Sequence, residues 1–435
     1  MTFEDAYNYT LSFNNLPRTE YMNDPKSCDI YLKRLQFFLN MLGNPEKKIP
    51  HYIHVTGTSG KGSTTSFLHS ILHASGKKVG STYSPHPTYI TERWKIDNRY
   101  MSKKEFVLLV GELKPLIDKY IQTTPYDMIS FFELTEVIGF LWFARNSVEW
   151  VVLEVACGGR FDSSNVIPYK DIAVITNIGL DHVGIIGNNK KEIAYEKAGI
   201  IKKGCAVFTS EKDPALVDII QTECDTNGVP CHTADTIPEV VNVTQQGSDI
   251  IYHNTSYHIP ILGEHQIDNA ILCIQIAESL HIDTKTIQQG LRTVVQPLRM
   301  EPVSMHPLII LDGAHNVDKI SSTVKTVQTF QDTVENIHLV LGFSADKNLE
   351  AMVHILMELQ PHTVACTRNT INILRKVASP KDIQTLVQQY CPSAHTRLFL
   401  DPKDAFIWSN AQQEKQDLLL VTGSIFLSGE IRGIL

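Results

Sequence analysis

The stretch Gly57-Thr-Ser-Gly-Lys-Gly-Ser-Thr64 follows the apolar run Tyr52-Ile-His-Val-Thr56 and precedes a helical pattern at Phe67, Leu68, Ile71 and Leu72. A strand that feeds a glycine-rich turn and then a helix presents backbone N–H groups at a helix N-terminus, where phosphate oxygens bind. Lys61 adds a positive charge for β- and γ-phosphates, and Ser63 or Thr64 offers a hydroxyl to Mg²⁺. The spacing departs from the common phosphate loop, because Val55 occupies the first glycine position and Gly62 separates Lys61 from Ser63. An ordinary strand-to-helix glycine turn is the alternative. The flanking strand and helix favour nucleotide triphosphate chemistry.

Around this motif, short and nearly continuous apolar runs alternate with helical patterns. Strands are expected over His51–Thr56, Lys78–Tyr83, Trp150–Ala156, Ile172–Asn177 and Ala206–Thr209, then over Leu308–Leu311, Ile337–Leu341, Thr363–Cys366, Arg397–Leu400 and Leu418–Thr422. Helices are expected over Lys61–Ala74, Lys103–Ile121, Phe131–Ala144, Lys191–Lys202, Gln266–Leu280 and Val317–Thr329. Strands apolar on both faces, alternating with helices, indicate an α/β fold with a mostly parallel sheet. Residues 229–262 differ: alternation in Val240–Val243 and Ile250–Ile261, with Asn254-Thr255 between, suggests a small antiparallel insertion.

A chain of 435 residues exceeds what one core usually fills. Pro297, Pro302 and Pro307 interrupt the helical pattern, so the domains are expected to be 1–297 and 298–435. The net charge of −8, from 39 basic and 47 acidic residues, argues against a nucleic-acid partner or an anionic membrane surface. Met1–Tyr9 shows no basic segment leading into an apolar one, and no apolar run reaches bilayer-spanning length. The eight cysteines form no C-x-x-C pair. Reduced thiols and a cytoplasmic location are therefore expected.

Further chemistry gathers at other strand ends. Glu154 lies within the apolar run Trp150–Val155, where a carboxylate is costly unless paired or metal-bound. A carboxylate ending a strand beside a phosphate loop is a place for Mg²⁺, and a salt bridge to Arg160 is the alternative. Asp181 and His182 follow the run Ile172–Asn177, at the edge where α/β sheets bind ligands. Ser84 ends another strand. Lys197 sits among small and apolar residues, where it is either a snorkelling stem or a partly buried amine of lowered pKa.

Taken in order, these residues resemble the folylpolyglutamate synthase/dihydrofolate synthase family within the Mur ligase superfamily. Its landmarks are Leu42-Gly43-Asn44-Pro45, His54–Ser63, Ser84-Pro-His86, Ser130-Phe-Phe-Glu133, Leu153-Glu-Val155 and Gly158-Gly-Arg-Phe-Asp162. They continue through Thr176–His182, Glu196–Ile200, Gly263–Gln266 with Asn269, Leu311–Asn316 and Thr422-Gly-Ser424. The resemblance implies a Mur-ligase-like ATPase domain followed by a smaller Rossmann-like α/β domain. It also implies an ATP-dependent amide ligase that adds L-glutamate to the carboxylate of a folate or pteroate through an acyl phosphate. A monomer is the family expectation.

Thr58, Ser59, Gly60, Lys61, Gly62 and Ser63 would then hold the phosphates, with Asn269, Arg299 and Asp312 at nucleotide-contacting positions. Ser63, Ser84 and Glu154 would bind one Mg²⁺. Glu154, His182 and a carbamylated Lys197 would bind a second. Phe132, Glu133, Phe161 and Asp162 match positions for the pterin, while Asp312, His315 and Ser424 match those that meet the incoming glutamate. Lys61, Lys197, His182 and His315 form the catalytic set. The chain departs from the family where Pro297-Leu-Arg299 replaces the usual Pro-Gly-Arg and where Val317 replaces a proline. The alternatives are another Mur-type ligase acting on a different carboxylate, and a nucleotide-dependent switch with no ligase activity.

Overall fold

The computed structural model describes residues 1–14, 16, 28–181, 183–234, 238–371 and 376–435. The chain forms two compact units, one from Met1–Ile237 with Asp268–Val294 and one from Pro238–Ile267 with Val295–Leu435. The antiparallel insertion thus groups with the second unit, whereas a simple division at residue 297 would assign it to the first.

The first unit begins with α1 (Phe3–Ser12) and α2 (Ile30–Met41), followed by β1 (His51–Thr56), α3 (Lys61–Ala74), β2 (Val79–Thr82), β3 (Trp94–Ile96) and β4 (Arg99–Tyr100). It continues through α4 (Lys103–Thr123), α5 (Phe131–Arg145), β5 (Trp150–Glu154), β6 (Ile172–Ile175), α6 (Lys190–Ala198), β7 (Ala206–Thr209), α7 (Pro214–Asn227) and β8 (Cys231–Thr233). Helices α8 (Glu264–Ser279), which enters this unit at Asp268, and α9 (Thr284–Arg292) complete it.

Among the described residues its sheet has the order β4-β3-β2-β5-β1-β6-β7-β8. Strands β2, β5, β1, β6, β7 and β8 run parallel. All their carboxyl ends therefore lie on one edge, where open α/β sheets bind ligands. Strands β3 and β4 turn back as an antiparallel edge. Apolar residues bury both faces: Phe38, Tyr52, Trp94, Phe140 and Leu153 belong to one cluster, and Ala173, Ile175, Ile193 and Val207 to another.

The way the helices start bears on function. Ser102 and Ser130 cap α4 and α5, each answered by a glutamate three residues on, Glu105 and Glu133. Helix α3 instead starts at Gly60 in the left-handed region (φ 84°), with no side-chain cap. Its first-turn N–H groups are thus left to an external acceptor.

The second unit contains an antiparallel sheet of β9 (Glu239–Thr244), β10 (Gly247–Tyr252) and β11 (Thr255–Ile259). Its tight turn places His253 and Asn254 at φ 47° and 59°, the two left-handed residues that a short hairpin demands. A second sheet has the order β12-β13-β17-β14-β15-β16, with β12 (Glu301–Met305), β13 (Leu308–Leu311), β14 (Ile337–Leu341), β15 (Thr363–Cys366), β16 (His395–Leu398) and β17 (Leu418–Thr422). All but β12 run parallel. Helices α10 (Val317–Gln328), α11 (Leu349–Met357), α12 (Pro380–Tyr390), α13 (Pro402–Asn410) and α14 (Ile425–Arg432) follow the same alternation.

Several expected boundaries move, two of them for a reason that the neighbouring residues supply. Strand β16 starts at His395, two residues early, because it pairs in register with Thr363–Cys366 and leaves Phe399 and Leu400 beyond the ladder. Helix α6 stops at Ala198, and Gly199 forms its C-cap.

Candidate active site

The loop after β1 is folded onto the end of β6. Thr58 and Ser59 donate their N–H groups to the carbonyl and side-chain oxygen of Asn177, each at 2.8 Å. The Thr176 hydroxyl donates to the Ser59 carbonyl at 2.6 Å, and Thr56 Oγ1 donates to the Gly158 carbonyl at 2.7 Å. Glycine is required at two points. A Cβ on Gly57 (φ 150°) would lie 1.7 Å from Thr176 Oγ1, and one on Gly60 would lie 2.4 Å from Asn269 Oδ1. Asn269, buried on α8, is thereby brought against the loop.

Lys61 and Lys197 converge from different helices on one atom. Their Nζ atoms donate to the Gly57 carbonyl at 2.9 and 2.8 Å. Two ammonium groups on one carbonyl repel each other. Lys197 is 2% exposed, and burial, reinforced by the charge of Lys61, pulls its pKa down to about 7. An anionic ligand, or loss of charge on one amine, relieves the repulsion.

Glu154 ends β5 and is 5% exposed; its Oε2 accepts the Ser84 N–H at 2.9 Å. Arg160, its alternative partner, pairs with Glu223 at 2.7 Å and lies over the Tyr195 ring. Ser63 is buried on the first turn of α3. These hard oxygens suit Mg²⁺. His182 lies outside the described residues, and among those described no group of three or more His, Cys, Asp or Glu side chains forms a metal cluster. The described residues fit a nucleotide through the uncapped helix and the paired lysines. They fit a metal through Glu154, Ser84 and Ser63.

The expected pterin residues divide. Phe132, at the start of α5, is 45% exposed and stands edge-on to Phe131, with the Arg93 guanidinium 5.8 Å from its ring centre. Phe161 is half-buried. Glu133 is turned inward: its oxygens accept from Arg34 Nε and Nη2 at 3.0 and 2.7 Å, and Oε2 also accepts the Ser130 N–H at 2.6 Å. Asp162 caps the short turn Ser163–Val166.

Two buried groups were not singled out from the sequence. Arg93 donates to the Tyr83 carbonyl at 3.3 Å and stacks over Phe131. Glu136 on α5 has its pKa pushed up to about 8, first by burial and then by Asp162. The available signal was two ionisable residues inside apolar segments.

In the second unit, Asp312 directly follows β13 and is 5% exposed. It accepts from the N–H groups of Met300 and Ala314, each at 3.2 Å, and from the Thr323 hydroxyl at 2.7 Å. Arg299 lies beside Gly313, between Leu298 and Met300 at φ 57° and 47°. Leu298 thus adopts a glycine-like conformation where the resembling family carries glycine. That costs roughly 1–2 kcal/mol, and full burial of the side chain offsets about 1.5–3 kcal/mol. His315 donates Nδ1–H to the Gly313 carbonyl at 2.8 Å, leaving Nε2 to accept from Lys319 at 3.2 Å. Burial and Lys319 lower its pKa to about 4, so the imidazole is neutral at neutral pH. Ser424 is buried and caps α14 by accepting the Phe426 N–H.

Two family models match the chain: the Mur ligase middle domain over residues 55–277 and the Mur ligase glutamate ligase domain over residues 298–425. A dihydrofolate synthase/folylpolyglutamate synthase of Bacillus subtilis is 32% identical, the match covering 92% of this chain and 94% of that protein. A folylpolyglutamate synthase of Lacticaseibacillus casei is 28% identical, covering 92% and 93%. Among solved structures, the Mycobacterium tuberculosis folylpolyglutamate synthase complexed with ADP and AMPPCP superposes with a TM-score of 0.80 at 26% identity, covering 93% of this chain and 95% of that one. The folylpolyglutamate synthase of Thermotoga maritima gives a TM-score of 0.85 at 25% identity, covering 100% and 96%.

Proposed function

The chain belongs to the folylpolyglutamate synthase/dihydrofolate synthase family of Mur ligases, and from that premise we propose how its residues join L-glutamate to the carboxylate of a folate or dihydropteroate at the expense of ATP. The observation that carries the proposal is the convergence of Lys61 and Lys197 on the Gly57 carbonyl, beside an uncapped helix and the strand that ends in Glu154.

The triphosphate of ATP rests on the loop from Thr58 to Ser63, with Lys61 offsetting its charge and Asn269 flanking it. Ser63, Ser84 and Glu154 would hold one Mg²⁺, and Glu154, His182 and a carbamylated Lys197 would hold a second. The metal supplies charge neutralisation where an anionic carboxylate meets a polyanion. Lys197 suits carbamylation because CO₂ adds to a neutral amine, and burial keeps a large share of this amine neutral near pH 7.

An oxygen of the substrate carboxylate attacks the γ-phosphorus as the bond to ADP breaks, giving an acyl phosphate. The glutamate amine then attacks the acyl carbon, the C–O bond to phosphate breaks, and the nitrogen loses a proton. The protein's part is to position the reactants and stabilise charge. Phe132, Phe161 and Asp162 contact the pterin; Glu133 serves it indirectly by pairing with Arg34 of α2. Arg299 and Asp312 contact the nucleotide, and Asp312, His315 and Ser424 receive glutamate. His315, being neutral, contributes a hydrogen bond and no charge. The enzyme acts on small molecules as a monomer. Among the described residues no helix is long and apolar enough to cross a membrane.

The test is ADP formation by the purified enzyme with ATP, Mg²⁺ and L-glutamate, using dihydropteroate and tetrahydrofolate in turn, with products resolved by mass. ADP release that requires both acceptor and glutamate, and is lost in a folded Lys61→Ala variant, supports the assignment. ADP release indifferent to both favours a nucleotide switch.

A further inference from the structure

Beneath the turn that follows β5, buried polar side chains form one continuous chain. Lys170 Nζ lies 2.6 Å from His54 Nδ1, His54 Nε2 lies 2.8 Å from Ser164 Oγ, and Ser164 Oγ lies 2.5 Å from Asp162 Oδ1. Lys170 is 3% exposed, and His54 and Ser164 are fully buried. The participants are far apart in sequence. His54 is on β1, three residues before the phosphate loop; Ser164 is in the short turn capped by Asp162; Lys170 lies two residues before the start of β6. Lys170 also donates to Asn165 Oδ1 at 3.0 Å, and the Asn165 amide donates to the carbonyls of Arg160 and Gly199 at 3.0 and 3.1 Å. The chain is therefore anchored to the end of α6 as well.

The chain of bonds can run in two directions. In the first, protonated Lys170 donates to His54 Nδ1, His54 Nε2–H donates to Ser164, and the Ser164 hydroxyl donates to an Asp162 carboxylate. In the second, every donor is reversed, Lys170 is neutral and Asp162 is protonated. The backbone decides between them. The N–H groups of Ser164 and Cys157 both point at the Asp162 carboxyl, at 3.0 and 2.9 Å, and such donors favour the anion. Burial opposes this, pushing Asp162 up and Lys170 well below the usual ammonium range. A directed chain of bonds offsets that penalty by joining the two charges through neutral groups.

We propose that Lys170, His54 and Ser164 are positioning residues that pass the charge of Lys170 to Asp162 and fix its carboxylate for the N–H donors of a pteroate ring. The inference rests on Asp162 being a substrate contact, as assigned above. Neither His54 nor Lys170 needs to touch the ligand. Their effect passes along the chain and falls on substrate binding rather than on phosphate transfer.

The experiment compares Ser164→Ala, His54→Leu, His54→Gln and Asp162→Asn by steady-state kinetics, with dihydropteroate and tetrahydrofolate as probes. Ser164→Ala and His54→Leu are expected to raise the KM of the pterin substrate about tenfold, the loss of one charge-assisted hydrogen bond. Their kcat and ATP KM should stay within about twofold. His54→Gln, which offers an acceptor and a donor at the end of its side chain, should recover most of the lost affinity. Asp162→Asn should raise the same KM. If Asp162→Asn raises it and Ser164→Ala and His54→Leu do not, the chain has no positioning role and Asp162 stands alone. If Asp162→Asn leaves it unchanged, the assignment of Asp162 is wrong and the inference falls with it. If every KM rises as the thermal midpoint falls, and His54→Gln is no better than His54→Leu, the chain is only core packing.

Discussion

Gly57→Ala probes the geometry of the phosphate loop, and its cost can be worked from the structure. The residue sits at φ 150°, and an added methyl would lie 1.7 Å from Thr176 Oγ1 and 3.0 Å from Thr176 Cβ. Forcing alanine into that backbone region costs about 1–3 kcal/mol. Turning the β-branched Thr176 off its rotamer adds about 0.5–1.5 kcal/mol. Its bond to the Ser59 carbonyl is then lost, for about 1 kcal/mol more. The sum is about 2.5–5.5 kcal/mol, which the chain meets either as lost stability or by displacing the loop. Displacement would raise the ATP KM by about a hundredfold or more. Thermal unfolding and ATP kinetics together read both outcomes. Gly57→Ala/Thr176→Ala should be less impaired than Gly57→Ala alone by about 0.5–1.5 kcal/mol, because the clashing hydroxyl is gone while the backbone cost and the loss of the bond to Ser59 remain. Wild-type stability and ATP KM in Gly57→Ala, or no coupling to Thr176, would refute the reasoning.

Three further outcomes follow from buried charge. If Lys197 is carbamylated, turnover should fall in CO₂-free buffer, fall further as the pH drops below 7 and the amine protonates, and recover on adding bicarbonate; a folded Lys197→Ala variant should be inactive and indifferent to bicarbonate. His69 is held near a pKa of about 3, chiefly by burial. Its folded value lies below the unfolded one, so its contribution is complete above about pH 6.5 and is lost as the pH falls. His69→Gln, which keeps a donor for the Asp97 carbonyl, should flatten the decline in Tm between about pH 7 and pH 5. Arg34→Met strands Glu133 and Asp127 and should destabilise by about 3–5 kcal/mol in denaturant titration, while Arg34→Met/Glu133→Leu should cost less than Arg34→Met alone.

The fold was legible wherever burial on both faces leaves a continuous apolar run. His51–Thr56, Lys61–Ala74 and Leu308–Leu311 appear at their expected bounds, because a glycine, a proline or a polar turn closes each one. Strands β3 and β4 carry no such signal. They are two or three residues long, interrupted by Lys95 and Arg99, and form only because β2 offers an edge. Strand β16, with His395 and Arg397 on an exposed edge, was misplaced for the same reason. In the candidate site, local motifs identified the residue types at strand ends, but pairing across long separations was invisible. Nothing near Glu133 announces Arg34, and nothing near Asp162 announces Lys170. The meeting of Lys61 and Lys197 at Gly57 likewise depends on α3 and α6 approaching one carbonyl from different parts of the chain.

The central claim, activation of a pteroate or folate carboxylate as an acyl phosphate, is tested most directly by following oxygen. The acceptor carboxylate is labelled with heavy oxygen, and a single round of ligation is run with ATP, Mg²⁺ and L-glutamate. The account requires one labelled oxygen to leave in the released inorganic phosphate. Phosphate free of label, alongside normal amide formation, would contradict it.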